Sequence, residues 1–167
     1  MEMFQLVDRN GKPIGRASRT ECHGNPLFIH LVVHLHLFDP AGRLYLQKRS
    51  MSKDTNPGRW DTSVGGHVSA GEEVTHALLR EAREELGIDA AGATFLYSWL
   101  SEGDFESELA YCYCLVSGQP IHPDPGEIEE GRHFTLDEVR GMMGTGILTP
   151  MFEREWPMLL AAREGRR

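Results

Sequence analysis

Between Gly66 and Ile88 the chain reads GHVSAGEEVTHALLREAREELGI, and this stretch limits the possible folds more than any other. A helix turns about 100° per residue, so Glu81, Glu84 and Glu85, spaced i, i+3 and i+4, fall on one face. Carboxylates so placed repel one another and destabilise an isolated helix. The pattern is that of a solvated acidic face, or of a site where a hard cation such as Mg²⁺ or Mn²⁺, which prefers oxygen ligands, relieves the repulsion. Ser69 stands three residues before Glu72, the capping-box spacing, and Leu86-Gly87-Ile88 reads as a Schellman-type stop with a left-handed glycine. A helix over about 72–86 is expected. Thr75, Leu78, Leu79, Ala82 and Leu86 form an apolar stripe apart from the carboxylates, so one side anchors and the other is free for chemistry.

The full spacing runs Gly66, five residues, Glu72, seven residues, Arg80-Glu81, the small Ala82, one residue, Glu84-Glu85, one residue, Gly87 and the aliphatic Ile88. Position for position it resembles the signature of the Nudix hydrolases. The resemblance implies an α/β (α+β) fold with a mixed β-sheet sandwiched between α-helices. It also implies a loop-helix-loop that holds Mg²⁺ or Mn²⁺ and cleaves a diphosphate linked to another group. Glu84 and Glu85 are then the expected metal ligands, with Glu81 on the same face and a further carboxylate from outside the helix. Glu81 is the first candidate to position or deprotonate the attacking water, and Glu127 or Glu129 is the alternative. Arg80 is expected to orient Glu81 or Glu72 through an ion pair. Gly65 and Gly66 should let backbone amides approach the substrate.

The 167 residues (18.8 kDa) suffice for one domain with its own core, and 1–167 is read as a single domain. Residues 1–20 form an N-terminal hairpin extension, and 163–167 a frayed tail. A net charge of −8 argues against duplex nucleic acid as a partner and leaves small phosphates open once a metal screens the site. No apolar run of membrane-spanning length and no targeting segment is visible; with three cysteines, which cannot all pair, a reducing cytoplasm is expected. A homodimer is possible.

Strand and helix signals alternate along the chain. Strands are expected at 4–7 and 14–16 around the Asp8-Arg9-Asn10-Gly11 turn, at 27–38, at 43–48, at 94–101 and 106–117 around Glu102-Gly103-Asp104, and at 131–134. Helices are expected at 136–143 and after Thr149-Pro150. In the 27–38 strand, Leu31, Val33, Leu35 and Leu37 alternate onto one face and His30, Val32, His34 and His36 onto the other.

A second set of residues, spread over roughly 5–117, resembles one branch of the family, the type I isopentenyl-diphosphate isomerases and the hydrolases most like them. There, three histidines and two glutamates hold a metal, and the matching positions are His23, His30, His67, Glu106 and Glu108. Such a nitrogen and oxygen set suits Zn²⁺ or Mn²⁺ better than Mg²⁺. Arg49 and Lys53 match residues that contact the substrate diphosphate, where a bidentate fork and a mobile point charge suit the task. Trp156 resembles a pocket aromatic of the isomerases, and Trp60, Tyr97, Trp99 and Phe105 could stack on a base. His34 and His36 have no counterpart and are read as strand-face residues, with lining of the pocket beside His30 as the alternative; Cys22, Cys112 and Cys114 are read as small buried hydrophobes. One departure separates the chain from the isomerases: Gly65 stands where they need a cysteine for proton transfer at an allylic carbon. The resemblance therefore implies hydrolysis of a phosphoanhydride in a small organic diphosphate. An isoprenoid-diphosphate enzyme and a non-catalytic nucleotide-binding module are the alternatives.

Overall fold

The computed structural model describes residues 1–165, and its architecture follows from the alternation in one long strand. The N-terminal hairpin is β1 (Met3–Val7) and β2 (Pro13–Ser18), followed by a single-turn helix α1 (Arg19–Cys22). The long strand β3 (Ile29–Phe38) leads through a turn to β4 (Leu44–Arg49), then to the short β5 (Trp60–Asp61) and β6 (Val64–His67). Helix α2 (Val74–Leu86) carries the glutamates, and β7 (Thr94–Glu102), β8 (Ser107–Val116), β9 (Ile128–Phe134), α3 (Leu136–Met142) and α4 (Pro150–Glu164) complete the chain. The sheet is mixed. β3 runs parallel to β8 from Ile29↔Ser107 to Phe38↔Val116, and antiparallel to β1, β4 and β6.

The two faces of β3 are buried against different helices, which makes the layers. Leu31, Val33, Leu35 and Leu37 pack with Ala77, Leu78, Ala82 and Leu86 of α2. On the opposite face Phe38 joins Leu44, Leu46 and Phe134 beneath Val139 and Met142 of α3 and Phe152, Trp156 and Leu159 of α4. Apolar surface removed from water on both sides is what holds a sheet between helices, at about 25 cal/mol per Å².

Several sequence expectations change. α2 starts at Val74 with Glu73 as an N-cap that makes no side-chain cap bond. Only half of the expected box at Ser69 forms: the Glu72 carboxylate accepts from the Ser69 N–H, ahead of the helix. Leu78, Ala82 and Leu86 are buried as expected, but Thr75 is exposed and the stripe takes in Ala77 and Glu85 on its other flank. The Schellman stop is present, with Gly87 at φ 65° and the Ile88 N–H donating to the Ala82 carbonyl. Helix α4 continues through Glu164, so fraying does not begin at 163; Arg166 and Arg167 lie outside the described residues. Glu129 is inside β9 and not in the loop before it. Among the described residues no helix is long and apolar enough to cross a membrane.

Candidate active site and metal centre

A cavity of about 390 Å³ opens on the α4 side of the sheet, between the end of α1, the loop after β4, the loop before β8 and the start of α4. The local structure aims side chains into it. Ser18 and Glu21 form a complete capping box on α1, which ends at the C-cap residue His23. His30 leaves β3 on the same side, and His67 is the last residue of β6. Phe4 of β1 stacks on the His67 ring at 4.0 Å and 7°, and on His30 at 5.3 Å and 27°. The hairpin thus clamps two of the three imidazoles.

The five candidates for a mixed-ligand site do converge. Ligand atoms of His23, His30 and His67 lie within 4.8 Å of one another, as do those of His30, Glu106 and Glu108. His23 Nε2 is 3.0 Å from Glu106 Oε2 and His30 Nε2 is 3.4 Å from Glu108 Oε1. Despite this closeness, His23 Nε2, both ring nitrogens of His30 and Glu106 Oε2 are buried without a hydrogen bond of acceptable geometry. Buried polar atoms seldom go unsatisfied, so their orphaning fits a cation between them. Burial pushes His67 down to about 3, keeping it in the neutral form that binds a metal. Burial, reinforced by the Glu108 carboxylate, pushes Glu106 up; Glu108 is buried too, but the neighbouring His30 outweighs that and holds it down.

The helix glutamates are placed differently. Arg80 donates to both Glu72 oxygens (2.8 and 2.9 Å), to Glu81 at 2.7 Å, to Glu84 at 3.3 Å and to the His67 carbonyl at 3.0 Å. The ion pairs expected of it, to Glu72 and to Glu81, are both formed. Glu81 presses over Gly66, where any Cβ would overlap its carboxyl group. Gly66 thus makes room for Glu81, a requirement for glycine in addition to the expected approach of its backbone amide to substrate. Burial pushes Glu81 up to about 7, against the opposing pull of Arg80. Glu85 lines the cavity, its Oε1 accepting from Gln47 at 2.9 Å and its Oε2 from the Gly65 N–H at 3.2 Å. Burial pushes it up to about 8. Glu84 is 59% exposed and stays outside the cavity. Among the described residues, Glu81, Glu84 and Glu85 do not form a close ligand group.

Of the remaining candidates, Gly65, Gly66, Arg49, Lys53 and Glu127 line the cavity. Lys53 is ion-paired with Glu127. Arg49 donates to the Thr55 carbonyl (2.9 Å) and hydroxyl (3.1 Å) and lies 3.6 Å from Asp61. Glu129 does not line the cavity; it sits 4.0 Å from Lys48. Trp156 is core, packed on Phe152, because α4 turns it into the sheet; Met151 faces the cavity in its place. Of the possible stacking aromatics only Phe105 lines the cavity: Trp60 packs edge-on against Phe134, Trp99 lies under Arg154, and the Tyr97 hydroxyl donates to Glu155. Sequence reasoning missed Glu155 altogether. His34 Nδ1 is 2.7 Å from its Oε2 and His36 Nε2 is 2.8 Å from its Oε1. The signal was available: two histidines on the buried face of one strand need a buried acceptor.

The sequence pattern of the NUDIX domain matches residues 29–154. The chain belongs to the NUDIX family. An isopentenyl-diphosphate Delta-isomerase of Mycolicibacterium vanbaalenii is 31% identical over 99% of this Nudix chain and 96% of its own length. The structure of DR0079 from Deinococcus radiodurans is similar with a TM-score of 0.78 and 26% identity, covering 99% of this chain and 100% of that one. A MutT protein of Methanosarcina mazei Go1, at 23% identity and TM-score 0.69 over 83% of this chain and 96% of its own, shares the fold. This Nudix chain is thus similar in sequence to proteins named isomerases and in fold to a protein named MutT.

Proposed function

We propose that this Nudix protein hydrolyses a phosphoanhydride bond in an organic diphosphate, nucleoside diphosphate-linked or otherwise, with a divalent cation. The observation that carries this reading is a complete Arg80-Glu81 and Glu84-Glu85 helix beside a Gly65 that has no side chain to protonate an allylic carbon. Glu85, with Glu84 or Glu81 from the same helix, would hold Mg²⁺ or Mn²⁺, and the histidine and glutamate cluster would hold a second ion such as Zn²⁺ or Mn²⁺. Held by these residues, such a cation would supply positive charge to offset that of the phosphoryl oxygens. Arg49 and Lys53 hold the diphosphate, exchanging Asp61 and Glu127 as counter-charges for phosphate oxygens. Arg80 fixes Glu81, and Glu81, poised near neutrality, takes the proton of the water that attacks phosphorus. Glu127 is the alternative base; the cavity supports it over Glu129.

A second reading is an enzyme of isoprenoid diphosphates resembling its isomerase-named relatives, favoured by the convergence of His23, His30, His67, Glu106 and Glu108. One experiment separates the two. A panel of nucleoside di- and triphosphates, dinucleoside polyphosphates, nucleotide sugars, coenzyme A and isoprenyl diphosphates is incubated with Mg²⁺ or Mn²⁺, and the products are identified. Release of phosphate, pyrophosphate or a nucleoside monophosphate is expected; conversion of isopentenyl to dimethylallyl diphosphate without such release would overturn the hydrolase reading.

A further inference from the structure

His34 lies four residues along β3 from His30, on the same face, and lines the cavity floor beside Gly65. It is not part of the metal-ligand cluster described above. Its Nδ1 is 2.7 Å from Glu155 Oε2, and Glu155, completely buried, also accepts from His36 Nε2 at 2.8 Å and from the Tyr97 hydroxyl at 3.0 Å. Among the described residues His34 Nε2 has no hydrogen-bond partner and is not sealed from solvent, whereas His36 Nδ1 is buried without a partner.

That asymmetry decides where the charge resides. A carboxylate buried among uncharged groups is costly, so one of its two imidazole neighbours carries a proton to match it. A second proton on His36 would be trapped at Nδ1 with no acceptor. A second proton on His34 sits at Nε2, on the ring edge that faces the cavity. The surroundings agree: burial opposes the charge on His34, but Glu155 outweighs it, with smaller help from Glu108 on β8 and Asp61 on β5, and holds the ring up at about 9. Cys112 on β8, whose Sγ is 3.9 Å from Nδ1, is pushed up by burial and stays a neutral thiol. Arg154, on the same helix as Glu155, also lines the cavity, donates to the Ser101 hydroxyl at 2.8 Å and lies over the Trp99 ring.

Gly65 leaves this edge of the ring uncovered. A Cβ at position 65 would stand 3.7 Å from His34 Cδ2, so a longer side chain there would extend over the imidazole from ordinary contact distance.

We infer that His34 is a substrate-binding residue, an imidazolium oriented by Glu155 that donates from Nε2 to a phosphoryl oxygen of the diphosphate at the position Gly65 leaves open. The inference rests on the proposed function for the class of ligand. A merely structural ion pair would have both ring nitrogens closed off from the cavity, as His36 has. A charge-assisted hydrogen bond of this kind accounts for about a 10- to 100-fold change in affinity.

The test is calorimetric titration of the Mg²⁺-loaded protein with methylenediphosphonate, a diphosphate that cannot be hydrolysed. His34→Gln is expected to weaken binding by about 10-fold or more, whereas His36→Gln, which removes a similar bond to Glu155 away from the cavity, should leave affinity within about two-fold. Equal losses in the two variants, no loss in His34→Gln, or no binding by the natural chain would overturn the inference. Should either variant fail to fold, long-range ¹H–¹⁵N spectra of the natural chain decide: the His34 Nε2 resonance moves on adding the ligand, or the inference falls. If no substrate in the product panel is cleaved while methylenediphosphonate binding still depends on His34, the hydrolase reading fails and this one stands.

Discussion

Gly66 has no side chain because Glu81 needs the space. Gly66→Ala would drive a methyl group into the Glu81 carboxyl and pull it from its 2.7 Å bond to Arg80. We expect a loss of about 1–3 kcal/mol in stability and a fall of about 100-fold in turnover, the scale on which misplacement by an ångström acts. Thermal melts and phosphate release measure the two, and a fully active variant would remove Glu81 from the reaction. Glu85→Gln tests the neighbouring carboxylate. Its two oxygens are buried and accept from Gln47 and the Gly65 N–H, and burial already favours its neutral form, so the change should cost about 1–3 kcal/mol at most, from an amide NH₂ turned towards one of those donors, while lowering turnover by orders of magnitude. Retained turnover would show that the metal does not use Glu85. Both positions were legible in the spacing of the glutamates. The exposure of Glu84 was not, because the helix period places three side chains on a face without saying which part of that face is covered by the sheet.

At the scale of elements, the strands with alternating apolar residues were legible because burial on one face writes itself into the sequence with period two. β5, β6 and α1 were not. Val64-Gly65-Gly66-His67 has little intrinsic strand character and is a strand only because its backbone pairs with Val32 to Leu35 of β3. The Glu155 interactions were equally hidden, since they join residues 119 and 121 positions apart. The N-terminal hairpin was visible as a hairpin, but its task was not: Phe4 is fully buried, stacked on His67 and His30. Phe4→Ala should cost about 3–5 kcal/mol and loosen the imidazole cluster. Chemical denaturation measures the first effect and titration with Mn²⁺ the second. Unchanged Mn²⁺ affinity in a destabilised variant would reduce Phe4 to a core residue with no bearing on the site.

For the molecule as a whole, charge buried between layers sets how stability varies with pH. His34 is held up at about 9, against 6.5 when unfolded, so its contribution is fully present below 6.5 and is lost as pH rises through 9. Glu155, buried yet held down by His34 and His36, contributes above 4.5 and loses its contribution as pH falls through its depressed value. Glu81 and Glu85, raised to about 7 and about 8 from 4.5, also lower stability as pH rises across that range when no metal is bound. Melting temperature in chelator should therefore fall between pH 6.5 and 9, and less steeply in His34→Gln; equal slopes would contradict a charged His34. The family pattern begins at residue 29, yet Phe4 and His23, which complete the cluster around His30, come from before it. A Nudix domain transplanted or trimmed at residue 29 would keep the glutamate helix and discard His23 and the Phe4 ring that stacks on His30 and His67. The family pattern is narrower than the unit that builds this cluster, and the relatives that match over nearly the whole chain share that wider unit.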